Sequence, residues 1–151
     1  MKIISIQQKV SLIYLGVGFF IVLAFLPWVL PHHQAEYSIK IFILYSCIII
    51  AFISGSIWLY EDINVSRVKD LIAILFSLMS LSGALIVDHN PLIALIINVA
   101  ALNLILVFEL RYFSDQPEHH DYYKARKLAT YLVTILFMIQ AAYLLNPYII
   151  S

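Results

Sequence analysis

Charge is scarce in this sequence. Of its 151 residues, 12% are Asp, Glu, Lys or Arg and 63% are hydrophobic, giving a mean hydropathy of +0.94. Average soluble domains are about half apolar and a quarter charged. One soluble core of this size would not hide so many Ile and Leu side chains. Nine basic residues balance nine acidic ones, and no basic tract stands apart from the apolar runs. That balance argues against nucleic acid as a partner. The lone cysteine, Cys47, lies inside an apolar run, which rules out an intramolecular disulfide and leaves the redox compartment open.

Chemistry-bearing motifs are missing too. The chain has no nucleophile elbow, no Walker loop and no HExxH. Five histidines are present, and none are spaced as HxH or HxxxH. His32, His33 and His89 fall on one side of the expected bundle near Glu36 and Asp88, residue types that ligate divalent metals. Adjacent residues on a helix point about 100° apart, so His32 and His33 make a poor pair. His119 and His120 beside Asp121 make a weaker group still. The reading is therefore no catalytic residues, no metal, no cofactor and no enzyme.

What the chain does have is long apolar runs: Val10–Leu30, Ile39–Tyr60, Leu71–Val87, Leu92–Phe108 and Leu128–Leu145. Crossing a ~30 Å hydrocarbon layer takes about 20 such residues, with a range of roughly 17–25. The prediction is an all-α, polytopic membrane protein, a compact bundle of five transmembrane helices in one domain. The first run follows Lys2 and Lys9, exceeds a signal-peptide core and lacks a small-x-small cleavage site, so it reads as a retained helix. No Arg- and Ser-rich transit segment precedes it, which favours a bacterial protein over an imported organellar one.

Orientation follows from the basic residues. Lys2, Lys9, Arg67, Lys69, Arg111, Lys124, Arg126 and Lys127 fall on one side of five spans, leaving only Lys40 on the other. Positive charge marks the cytoplasmic face, which puts the N-terminus inside and the C-terminus outside. Asn90-Pro91 sits in a tight turn, with Asn suited to a helix exit and Pro to the first position of the next helix. Asp121 is placed to cap the fifth helix, and Pro147 to end it.

Small and polar residues interrupt these runs at helical spacing. Cys47, Ala51, Ser54, Gly55, Trp58 and Asp62 fall within one stripe about 100° wide, with Ile49, Ile53, Ile57 and Tyr60 opposite. Small residues let helix backbones approach closely in lipid, so the stripe reads as a packing face and the isoleucines as lipid-facing. On the third run Asp70, Ala73, Ser77, Ser80, Ala84 and Asp88 line up. Ala94, Asn98, Ala101, Ile105 and Glu109 do so on the fourth, and Tyr122, Arg126, Thr130, Phe137 and Ala141 on the fifth. Asn98 and Glu109 need partners inside a membrane, and Arg126 is the expected partner of Glu109.

With Tyr45, Phe52, Gly55 and Trp58 at their spacing, the second run also resembles a family of small five-span membrane proteins catalogued as a domain of unknown function, the transmembrane protein sixty-nine family. In that family a Tyr opens the second span, followed by Ser-Phe-Leu-Gly-Gly, two variable residues and Trp-Gly. Tyr45, Phe52, Gly55 and Trp58 match this pattern, while Ala51, Ser54 and Leu59 depart from it. A second family element, an aromatic followed by Arg and Thr at helical spacing, resembles Tyr122, Arg126 and Thr130. The resemblance implies a bacterial or mitochondrial inner membrane and no particular activity.

The functional expectation is a non-enzymatic membrane protein, in contact with the lipid bilayer, that assembles or interacts with other membrane proteins. The alternative is a small transporter or channel subunit with a polar path through Asn98, Glu109 and the serines of the third span. A more distant one is an enzyme acting on lipid through Trp58, Glu61 and Asp62.

Overall fold

The computed structural model describes residues 6–57, 66–113 and 120–146. These form five helices: α1 (Ile6–Val29), α2 (His32–Ser56), α3 (Ser66–Ile86), α4 (Pro91–Phe113) and α5 (His120–Leu144). All five are long and apolar enough to cross a membrane. The chain is a multi-pass, all-helical membrane bundle.

The helix ends follow from local chemistry. At the α3–α4 turn the His89 and Asn90 amides donate to the Ile86 carbonyl and close α3. Pro91 opens α4, where its missing N–H is no loss because the first helical amides lack intrahelical acceptors anyway. The Asn90 side chain also serves α4. Its Oδ1 accepts the Ile93 amide at 3.1 Å, the bond of a helix N-cap. Asp121 lies inside the first turn of α5, which begins at His120, and so is not the cap. At the other end of α5 the Leu145 and Asn146 amides bond the carbonyls of Ala141 and Tyr143. The role read for Pro147 lies outside the described residues.

Two helices start well before their apolar runs. α2 begins at His32 rather than Ile39, and α5 at His120 rather than Leu128. Hydropathy measures the part that suits lipid, whereas the helix continues wherever backbone hydrogen bonds do, here through polar flanks.

α1, α2, α4 and α5 form a closed ring in that order, with α1 packed on both α2 and α5 and α4 likewise. α3 lies against α2 and α4 from outside the ring. Lys9, Lys69, Arg111, Lys124, Arg126 and Lys127 mark one end of the bundle, called here the basic end. Near mid-length the ring is filled by Phe20, Phe42 and Phe137, all buried, with centroid separations of 5.0–6.3 Å. Such tilted aromatic contacts add dispersion and quadrupole attraction where no hydrophobic force operates between helices.

The inward faces of α3, α4 and α5 are largely those read from spacing. Ala94, Asn98, Ala101, Ile105 and Glu109 are each 0% exposed. The α2 face differs from the expectation. Cys47 and Ser54 are buried, but Ala51 and Gly55 are exposed, and a Cβ on Gly55 would meet nothing within 4 Å. Ile57, expected in lipid, is fully buried alongside Ile43 and Ile50. The true inward face is rotated by about 100°, one residue's turn. Bulky isoleucines fill the ring, and the small Ala51 and Gly55 are left on the outside. Trp58 and Asp62 lie outside the described residues, as do Tyr60 and Glu61.

Candidate functional site

Among the described residues, most of the polar side chains buried in the bundle gather into three groups. The first joins α2, α3 and α4. Asn98 is wholly buried, and its Nδ2 donates to Ser46 Oγ at 2.8 Å and lies 3.1 Å from Cys47 Sγ. Ser80 Oγ donates to the Cys47 carbonyl at 2.8 Å, and one turn along, Ser54 and Ser77 share a hydroxyl bond at 2.7 Å. Asn98 Oδ1 has no hydrogen-bond partner and faces Gly83. A Cβ at Gly83 would stand 2.5 Å from it. A side chain at Gly83 would force the Asn98 amide to shift from its bond with Ser46, so glycine gives the closest fit here.

The second group joins α4 and α5 at the basic end. Glu109 and Arg126 are 0% and 5% exposed, and Arg126 Nε donates to Glu109 Oε2 at 3.2 Å. Arg126 Nη1 donates to Thr130 Oγ1 at 3.1 Å. The seam continues through Thr134, whose Oγ1 donates to the Thr130 carbonyl and accepts from Asn103 Nδ2 at 3.0 Å. A chain of donors and acceptors thus runs along the α4–α5 contact. Glu109 Oε1 and Arg126 Nη2 have no hydrogen-bond partner.

The third group was not read from the sequence. Pro27 lies inside α1 and has no N–H for the Leu23 carbonyl four residues back. Gln140 of α5, 0% exposed, donates from Nε2 to that carbonyl at 3.0 Å and lies 3.2 Å from the Ala24 carbonyl. A proline in a transmembrane helix is tolerated when a neighbouring helix satisfies the freed carbonyl, and Gln140 does so. The available signal was a proline within one apolar run and an amide within another.

Below the Phe20–Phe42–Phe137 cluster, the ring encloses a hollow of about 500 Å³ reaching the basic end. Its walls are mostly apolar, with Lys9, Ser56, Arg126 and Thr130 among the polar exceptions. Asn98 is not among the residues lining this hollow, whereas Arg126 is.

His32 pairs with Glu36 at 3.6 Å, and His33 stacks on Tyr37. Among the described residues no three His, Cys, Asp or Glu side chains form a group able to hold a metal ion.

No protein-family model, no curated protein and no solved structure matches the chain.

Proposed function

We propose that this chain is a non-enzymatic protein of a bacterial cytoplasmic membrane, with its basic end inside, that acts as an assembly or interaction partner of other membrane proteins. Membership of the transmembrane protein sixty-nine family is part of the same proposal, carried by Tyr45, Phe52, Gly55 and Trp58 and by Tyr122, Arg126 and Thr130. The orientation rests on the eight-to-one division of the basic residues.

The observation that carries the reading is that the intramembrane polar groups bond to one another across helix contacts. Asn98 holds Ser46, Glu109 holds Arg126, and Gln140 holds the Leu23 carbonyl. Polar residues used in this way join helices and specify their pairing. A conducting path would instead need such groups along a continuous hydrated route. Here the ring is filled at mid-length by Phe20, Phe42 and Phe137.

The transporter reading has one observation in its favour. Arg126 and Thr130 line the hollow at the basic end. That hollow stops at Phe20, so transport would require the aromatic cluster to part.

Affinity purification of the full chain from native membranes in a mild detergent tests the proposal. The expected result is a membrane protein retained at constant stoichiometry through washing. A chain that purifies alone, and supports solute flux once reconstituted in vesicles, would replace this reading with transport.

A further inference from the structure

We infer that the hollow at the basic end binds one acyl chain of an anionic phospholipid, with the lipid phosphate held at Lys9 and Arg126. The site would exist whether or not the bundle joins other membrane proteins.

Shape is the first argument. The volume, about 500 Å³, falls within the roughly 300–1,000 Å³ of ligand pockets. From Lys9 to Phe20 the α1 wall runs about 16 Å at 1.5 Å per residue. Half of a ~30 Å hydrocarbon layer is close to that length, so the hollow is about one leaflet deep. Leu12 and Phe52, both on its wall, are 61% and 76% exposed, so part of that wall also meets the surrounding lipid. Val17, Phe20 and Val133 make its deeper wall apolar, fit for a hydrocarbon tail and hostile to a small hydrated anion.

Charge is the second. The charged residues lining the hollow are Lys9 and Arg126, and among the described residues no carboxylate lines it. Glu109 takes Arg126 Nε but is not on the wall. Thr130 takes Nη1, while Nη2 is buried without a hydrogen-bond partner. A guanidinium carries five N–H donors in a planar fork that matches phosphate oxygens. Arg126 therefore keeps donors to spare after binding Glu109 and Thr130. Lys9, exposed at the rim, adds a charge at headgroup depth. With Arg126 paired to Glu109, Lys9 supplies the excess positive charge at the mouth, which selects a net-negative headgroup over a zwitterionic one.

Native mass spectrometry of the full chain in mild detergent, titrated with phosphatidylglycerol, phosphatidylcholine or inorganic phosphate, tests this. One phosphatidylglycerol should bind, with phosphatidylcholine about fivefold weaker, since each basic residue near an anionic surface contributes on that scale. Lys9→Gln should weaken phosphatidylglycerol about fivefold and phosphatidylcholine, whose phosphate is offset by its choline cation, by less. Ala129→Phe, which fills the hollow, should abolish binding of both lipids. Inorganic phosphate should neither bind nor displace the lipid. Equal affinity for the two lipids, full binding by folded Ala129→Phe, or displacement by phosphate would each overturn the assignment. Lys9 is exposed, so Lys9→Gln decides the matter even where Ala129→Phe fails to fold: unchanged phosphatidylglycerol binding in that variant refutes the site.

Discussion

Gln140 donates a hydrogen bond to the backbone carbonyl of Leu23, the carbonyl that Pro27 leaves without its helical donor. A side chain of α5 thereby completes the backbone of α1, and the residues lie more than a hundred positions apart in the chain. In lipid no water reaches such a carbonyl, so its partner must come from protein.

Gln140→Leu should therefore destabilise the bundle by about 1–2 kcal/mol, the scale of interhelical hydrogen bonds in membranes. Pro27→Ala restores the N–H four residues beyond Leu23. In that background Gln140→Leu should cost clearly less. Thermal unfolding in detergent measures both, and an equal loss with and without Pro27 would refute the pairing.

Gly83 and Asn98 form a second lock. Gly83→Ala places a methyl 2.5 Å from Asn98 Oδ1 and should cost about 1–3 kcal/mol by overpacking. Asn98→Ala removes the obstructing amide, so Gly83→Ala should be nearly neutral in that variant. If the alanine costs as much there, the close approach is not what favours glycine.

The faces of α2 give a third test. Gly55→Leu should leave thermal stability almost unchanged, because nothing stands within 4 Å of its Cβ position. Ile57→Ala empties a fully buried site and should cost about 2 kcal/mol or more. The opposite ranking in the same melting assay would restore the face expected from small-residue spacing.

Topology provides a fourth. A reporter active only outside the cytoplasm should work when fused after Ser151 and be silent when fused at Gln116. The division of basic residues motivates this, and the reversed pattern would invert the bundle.

The five spans were legible because lipid thickness imposes a length and a composition that few other constraints mimic. The inward stripe of α4 was legible for a different reason. Asn98 and Glu109 are costly in lipid, so their spacing points inward with little ambiguity. Ala51 and Gly55 carried no such information. A small apolar residue is inexpensive on either face, so its size does not say which way it points. The buried Ile50 and Ile57 show that bulky residues can fill the ring instead. Pairings such as Gln140 with Leu23 are tertiary, and sequence shows only the two halves. The hollow at the basic end depends on how four helices diverge, which no single run encodes.

Polar side chains join helices inside this bundle, and Glu109 with Arg126 is the sharpest instance. Both are buried, with Nε and Oε2 3.2 Å apart. Removing one partner of a buried pair strands the other charge, at about 3–5 kcal/mol. The decisive measurement is a double-mutant cycle, in which the thermal stability in detergent of Glu109→Gln, Arg126→Gln and the double variant is compared with the parent. The predicted result is a large loss in each single variant and a double variant that loses clearly less than their sum. Strictly additive losses would contradict the account: the two groups would then be energetically independent, and Glu109 would stand as a free carboxylate fit for a proton or substrate path.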